Sequence, residues 1–373
     1  KECDWVIEAI SERLDWKQDL YKKIIPHLSK DTIVSSNTSG LSLSDLSSGL
    51  PDEFLDKFFI THFFNPPRYM KLVEIISSDK TNSDKVSYIH EFLENKLGKG
   101  VVVAKDTPNF IANRIGVYGM MVTLHEADRC GLSIEDVDAF TGTIIGRPKS
   151  ATFRTADVVG LDTMCYVANT AYEKCPDDPE KDVFELPDYI NKMVSNKWLG
   201  QKSGQGFYKK VDKGIIHSLN LKTLEYEPMN KKRHAAFTLA KEKTYLRDRL
   251  NAIVRSDDVA GEFLWKTFSR TLIYSANLAG VIADDVYSID RAMKWGFGWE
   301  LGPFEVLDAI GLNYFVDRCK KDGVAVPSWL LDLKSKQISS IYAYLDGKKY
   351  FYNLEAKDYT ELLYHEKHID FQI

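Results

Sequence analysis

The sequence has no basic excess: 49 Lys and Arg stand against 54 Asp and Glu, for a formal net charge of −5. Such a balance leaves no electrostatic footprint for nucleic acid or anionic lipid. Five cysteines (Cys3, Cys130, Cys165, Cys175 and Cys319) are scattered, odd in number and without C-x-x-C spacing. That argues against a disulfide framework or a zinc site, and it suits a reducing compartment, the cytoplasm. No apolar run reaches the ~20 residues needed to span a bilayer, and no secretory leader is legible. The close pair His365 and His368 lacks the i,i+4 spacing of H-E-x-x-H, so no metal is expected. Nor does G-x-G-x-x-G occur anywhere; Gly204 and Gly206, like Gly296 and Gly298, have the wrong onward spacing.

What is present is a globular composition, 44% hydrophobic and 28% charged over 373 residues, with room for two or three domains. Residues 1–10, KECDWVIEAI, enter directly on a buried-strand pattern without an initiator Met, so the sequence reads as cut from a longer chain. Over the first hundred residues Val- and Ile-rich runs alternate with amphipathic stretches. DWVIEAI, DTIVSSNTS, DKFFITHFF, MKLVEIISS and GKGVVVAKD read as strands. SERLDWKQDLYKKIIPHL reads as a helix with Ser11 as N-cap, and 81–97 as one closed by Gly98. This alternation predicts an α/β layer with a largely parallel sheet.

After KDTPNF the texture becomes helical. One long helix is expected from Asn109 to Gly131, and GIIHSLNLKTLEYEP reads as a hairpin or linker. Residues 135–163 also align with 287–313: Asp138 falls on Asp290, Phe153 on Phe304, and Asp157-Val-Val-Gly-Leu on Asp308-Ala-Ile-Gly-Leu. A shared D-x-x-G-L at matching distance from a shared Asp points to duplication, against chance likeness of amphipathic helices. The expected organisation is α/β followed by all-α. It comprises a partial Rossmann-type sheet domain over 1–106, a helical domain over 107–212, a linker over 213–230, a second helical copy over 231–325 and a C-terminal extension or linker over 326–373.

THFFNPPRYMKLVEII places two ionisable residues, His62 and Glu74, inside apolar runs. Burying either alone costs several kcal/mol. If the two strands are neighbours, the carboxylate can fix the imidazole tautomer and leave the other ring nitrogen as a general base. A core histidine beside a structural glutamate fits the same spacing. Ser39 just past a strand, Asn113 early in the long helix, and Glu8, Glu12 and Lys17 after the first strand add polar groups. They converge on the carboxyl edge where α/β sheets hold ligands.

HFFNPPRYMKLVEII, SNTSGLS, KDTPNFIANR and GQKSGQGFYK resemble, in order and register over residues 1–210, the signature segments of the L-3-hydroxyacyl-CoA dehydrogenases of fatty-acid β-oxidation. The resemblance implies oxidation of L-3-hydroxyacyl-CoA to 3-oxoacyl-CoA with NAD. His62 would be the base, Glu74 its orienting partner, and Ser39 and Asn113 the groups that bind the reacting oxygen. It also implies that Glu12, Lys17, Ser39, Asn65 and Lys202 contact NAD. GRPKSATFRTADVVGLDT and the later G-P-F-E-V-L-D at 302–308 resemble the multifunctional branch, whose two helical domains pack on each other. The end of the sequence resembles the linker before an enoyl-CoA hydratase domain, so a fused or associated hydratase and thiolase are implied partners. Because the family opens with G-x-G-x-x-G, its absence implies that the N-terminal part of the dinucleotide fold is missing and that NAD binds poorly. A non-catalytic acyl-CoA-binding or scaffold protein is the alternative, and a dehydrogenase for another coenzyme or a small hydroxy acid is a third.

Overall fold

Five short strands carry the first layer: β1 (Trp5–Glu8), β2 (Ile33–Ser36), β3 (Phe58–Phe63), β4 (Leu72–Ile76) and β5 (Gly100–Val103). In the computed structural model, which describes residues 3–230 and 234–362, they form one sheet in the order β1-β2-β3-β4-β5. Every pairing is parallel except β3 with β4, which is antiparallel. The connections are α1 (Leu14–Ile24), α2 (Leu43–Ser47), α3 (Asp52–Leu55) and α4 (Ser83–Asn95). Strand side chains alternate between faces. Phe59, Val73, Ile75 and Val101 therefore pack beneath α4 with Ile89 and Leu93. Val34, Phe58, Ile60, Leu72 and Val102 join the main core on the other face. From β2 to β5 most side chains on both faces are buried, and the edge strand β1 is half-exposed.

Helices follow: α5 (Ala112–Cys130), α6 (Ile134–Phe140), α7 (Phe153–Val159), α8 (Leu161–Lys174) and α9 (Asp188–Ser195). A three-stranded antiparallel sheet of β6 (Tyr208–Asp212), β7 (Ile215–Leu219) and β8 (Tyr226–Pro228) closes this part. Beyond it lie α10 (Ala235–Lys241), α11 (Leu246–Val254), α12 (Val259–Leu278), α13 (Val286–Gly296), α14 (Pro303–Ile310), α15 (Leu312–Lys321) and α16 (Ser328–Ser335). Strands β9 (Tyr342–Leu345), β10 (Lys348–Asn353) and β11 (Asp358–Glu361) form a second antiparallel sheet. The two long helices pack together, with Tyr118 of α5 stacked on Tyr274 of α12 at 3.7 Å. Among the described residues no helix is long and apolar enough to cross a membrane.

One carboxylate arrangement occurs twice. Asp138 accepts from the backbone N–H groups of Thr152, Phe153 and Arg154 and from the Tyr208 hydroxyl, while Asp157 accepts from the N–H groups of Phe207 and Tyr208. Asp290 likewise accepts from Phe304, Glu305 and the Tyr342 hydroxyl, and Asp308 accepts from Ile341 and Tyr342. Each cluster sews a helix pair to its small sheet.

Several expectations need correction. Ser11 does not cap α1; Arg13 holds that position with no side-chain cap, and α1 starts at Leu14. The long helix starts at Ala112, not Asn109, because Asn109 and Phe110 both adopt left-handed φ values of +64° and +50°. Of the two readings of 213–230, the hairpin holds and the linker does not: β7 and β8 fold back on β6, and Ser218 donates to Glu135 of α6. The described part of 326–373 is likewise folded, tied through Ile341 and Tyr342 to Asp308. His365 and His368 lie outside the described residues.

Burial raises the carboxyl of Asp308 to about 7, and the N–H bonds from Ile341 and Tyr342 offset this only in part. The folded state thus holds this proton to higher pH than the unfolded chain, so stability falls as pH rises from the ordinary carboxylate range towards about 7. Thermal unfolding from pH 4 to pH 8 should show a flatter slope in this window for Asp308→Asn than for the wild type; parallel profiles would remove Asp308 from this role.

Candidate active site

The antiparallel pairing of β3 with β4 sets His62 directly opposite Glu74. By strand alternation both side chains point to the face that also carries Ile60 and Leu72. His62 Nδ1 and Glu74 Oε2 are 2.7 Å apart, and the side chains are 6% and 0% exposed. The other carboxylate oxygen, Oε1, accepts from the backbone N–H groups of Ile111 (3.1 Å) and Ala112 (2.9 Å). These are donors at the start of α5, groups that a helix cannot satisfy internally and whose partial positive charge favours an anion. One carboxylate thus holds the imidazole and anchors the helix that crosses the sheet. The His62 ring packs against Phe64 (4.5 Å between centroids) and Phe110 (5.6 Å). Nε2 makes no hydrogen bond among the described residues, which leaves it as the nitrogen able to meet a substrate proton.

The turn into α5 is strained. Successive left-handed residues at Asn109 and Phe110 cost about 1–2 kcal/mol each. They persist because Asn109 is buried with its Nδ2 donating to the Val167 carbonyl, 2.9 Å away. The effect of the turn is to aim two N–H groups at Glu74. Neither Asn109 nor Phe110 was selected from the sequence; the tolerance of Asn for positive φ, directly after a proline, was the available signal.

At the ends of β1 and β2, polar groups hold the neighbouring loop. Glu12 Oε1 accepts from Thr38 Oγ1 (2.6 Å), Ser39 N (2.7 Å) and Gly40 N (3.1 Å). Beneath it, Glu8 takes Lys17 (2.7 Å), Tyr21 (2.8 Å) and Ser36 (2.7 Å). Burial works to raise the Glu8 carboxyl, but bonds from Lys17, Ser36 and Tyr21 outweigh it and hold it below the ordinary value. Asn37 Oδ1 accepts from Phe63 N at 2.9 Å, which ties this loop to the end of β3 beside His62. Asn37 carried no sequence signal beyond its place in SNTSG.

Of the residues expected at a site, His62 and Glu74 are in contact, and Asn113 sits half-buried beside Ala112 in the first turn of α5. Ser39 is half-buried in the loop that Asn37 joins to β3, and Asn65 is exposed just past β3. Glu12 supports the Ser39 loop. Lys17, at 1% exposure, lies under that loop with its ammonium on Glu8 and 3.4 Å from Glu12. Lys202 stands apart in the helical part, paired with Asp162 at the start of α8.

Residues 1–107 match the model of the 3-hydroxyacyl-CoA dehydrogenase NAD-binding domain, and residues 110–210 match that of the 3-hydroxyacyl-CoA dehydrogenase C-terminal domain. A Bacillus subtilis protein named "Probable 3-hydroxyacyl-CoA dehydrogenase" is 46% identical over the whole chain, which spans 47% of that relative. A Rickettsia prowazekii protein named for a fatty acid oxidation complex trifunctional enzyme is 32% identical over 91% of the chain, which spans 46% of it. The chain therefore spans about half the length of these curated relatives. The crystal structure of 3-hydroxybutyryl-CoA dehydrogenase from Escherichia coli superposes with a TM-score of 0.67 at 21% identity, over 90% of this chain and 82% of that one, a likeness of fold.

These matches correct one expectation. The NAD-binding domain is present, matched from residue 1, and NAD is its cofactor; the absent feature is the glycine turn, not the domain. With a sheet domain and a helical domain that each match the same family, joined through a His–Glu pair at their boundary, the chain belongs to the 3-hydroxyacyl-CoA dehydrogenase family.

Proposed function

We propose that this chain oxidises L-3-hydroxyacyl-CoA to 3-oxoacyl-CoA, as the dehydrogenase part of a multifunctional β-oxidation enzyme. The observation that carries the reading is the buried imidazole whose Nδ1 is held by Glu74 at 2.7 Å while Nε2 stays free. A chain that only bound acyl-CoA would need Glu74 to hold the head of α5, but not an imidazole on its second oxygen with Nε2 left free.

The polar groups at this edge fit the nicotinamide end of the cofactor. Loops after β1, β2 and β3 converge there, and Gly40 carries no side chain where a Cβ would come within 3.2 Å of Asn109 Oδ1. Ser39 and Asn65 would hold that end directly, with Glu12 and Lys17 fixing the loop beneath. Lys202, engaged by Asp162, would act only from the helical side. No residue is assigned to the pyrophosphate. NAD, when bound, accepts the hydride that leaves C3.

His62 Nε2 takes the 3-hydroxyl proton as the C–O bond becomes C=O, which balances the hydride lost from carbon. Glu74 keeps the proton on Nδ1 and neutralises the imidazolium, its own charge fixed by the Ile111 and Ala112 N–H groups. Ser39 and Asn113 hydrogen-bond the reacting oxygen and set the approach of C3.

The multifunctional assignment draws support from relatives that match far beyond residue 210, one of them named for a trifunctional enzyme. It also draws on the recurring carboxylate clusters, Asp138 with Asp157 and Asp290 with Asp308, which favour two copies of the helical domain packed through α5 and α12. On this reading residues 1–106 form the sheet domain, 107–212 the first copy with β6, and 231–325 the helices of the second. A hydratase would supply the 3-hydroxyacyl-CoA and a thiolase would consume the product, fused or associated. The five free cysteines suit the cytoplasm.

With 3-hydroxyacyl-CoA and NAD as substrates, His62→Ala should lower kcat by about 10²–10⁴-fold while NAD affinity changes little. Turnover close to wild type in that variant would exclude His62 as the base. Ser39→Ala and Asn113→Ala should each lower kcat by about tenfold or more, since each removes one positioning contact; unaltered kcat in both would leave the reacting oxygen unassigned.

A further inference from the structure

The helical part beyond residue 230 reaches back to the dyad. Residues 279–297 run along the sheet domain: Lys105 N donates to the Ile282 carbonyl at 3.0 Å, and Lys105 Nζ donates to Gly280 O at 2.8 Å. At the end of α13, three consecutive residues then meet the elements that carry the site. The Trp295 ring fills the space over Gly100 of β5, and Phe297 fills a notch at Gly116, where a Cβ would lie 2.0 Å from the ring.

Between them sits Gly296. A Cβ there would lie 2.6 Å from Leu72 Cδ2, 3.2 Å from Ala112 Cβ and 3.4 Å from Phe64 Cε1. Each of these neighbours serves the dyad. Phe64 packs on the His62 ring, the Ala112 N–H holds Glu74, and Leu72 lies two residues before Glu74 on the same face of β4. Gly296 is helical with no positive φ, so alanine would suit its backbone and even favour the helix by ~1 kcal/mol. The need for glycine here is one of close approach.

We propose that Gly296, braced by Trp295 and Phe297, is a positioning residue for the His62–Glu74 dyad, so that α13 sets the geometry of the catalytic step in a domain to which it does not belong. This rests on the reading of His62 as the base. Gly296→Ala pushes the Leu72 δ-methyl aside and requires Ala112 to give by a few tenths of an ångström, with Phe64 at the edge of ordinary contact; through Ala112, whose N–H holds Glu74, the dyad shifts. A misplacement of 1 Å can cost about a hundredfold in rate, so a shift of a few tenths corresponds to a smaller loss, roughly tenfold.

The test compares Gly296→Ala with the wild type in the protein as its gene encodes it. Two readouts are taken: steady-state kinetics over pH, and the NMR signals of the His62 ring, which report the Nδ1–H bond without turnover. The expected result is a fall in kcat of about tenfold or more, with KM for NAD within about twofold. The pH profile and the His62 Nδ1–H resonance should both move, and Leu72→Val in the same chain should restore part of the loss. Leu330→Ala, buried in α16 of the same region, should lower Tm yet leave kcat and the His62 signals unchanged. If Gly296→Ala does not fold, Phe297→Leu, which replaces the ring in the Gly116 notch by a smaller side chain, takes its place with the same readouts. Unchanged kcat and unchanged His62 signals would overturn the proposal. A wild type without dehydrogenase activity would overturn the function proposed above, and the His62 signals would still decide this one.

Discussion

A single carboxylate, that of Glu74, is shared between an imidazole and the start of a helix. Its two oxygens point to different domains: Oε2 to His62 on β3, Oε1 to the N–H groups of Ile111 and Ala112 at the head of α5. A buried carboxylate needs several donors, and among the described residues no lysine or arginine pairs with Glu74; an aromatic-lined imidazole and a helix terminus do. The site and the boundary between sheet and helices are therefore the same interaction. Loss of Glu74 would free the ring and, in the same step, leave α5 without its cap.

Other features serve this arrangement. The antiparallel course of β4 within an otherwise parallel sheet brings Glu74 opposite His62, and a one-residue slip of β4 against β3 would send Glu74 to the α4 face, away from His62. The left-handed pair Asn109–Phe110 brings the helix in at the angle Glu74 requires. One turn on, Arg114 binds Asp178 at 2.5 Å and stands beside Tyr274, joining α5 to the end of α8 and to α12. Burial works against the Arg114 charge, but the groups of Tyr274, Cys175 and Asp178 prevail and raise its proton affinity. Helix α5 is thus fixed at its head by the sheet and along its length by both helical regions.

Strand positions were legible because short, near-continuous Val-, Ile- and Phe-rich runs alternate with amphipathic helices, as strands buried on both faces do, and the His62–Glu74 pair was legible because charges in such runs require a partner. The C-terminal stop of α5 at Gly131 was equally plain, with φ of +62° in the structure. Its start was not: Asn109 and Phe110 adopt left-handed conformations that tertiary contacts enforce against local preference. Glu8, Glu12 and Lys17 were grouped after β1, but the Thr38, Ser39 and Gly40 groups that Glu12 holds lie 26 to 28 residues on, contacts that spacing cannot reveal. The same holds for Gly296, which in sequence looks like half of a failed glycine motif. The stretch after 212 read only as a hairpin or linker, and the end of the chain as an extension or linker, because the strands of both small sheets are short and half exposed; their order comes from Asp157 and Asp308 rather than from their own pattern.

The bridging role of Glu74 is tested most directly by amide hydrogen exchange at Ile111 and Ala112 in the wild type and in Glu74→Ala. If the carboxylate caps α5, both amides are protected in the wild type and exchange at least tenfold faster in the variant, a difference of about 1.4 kcal/mol or more in local opening, while the amides of β2 and β5 stay as they were. Equal protection of Ile111 and Ala112 in the two proteins would contradict the account: the helix would be held by other means, and Glu74 would serve His62 alone.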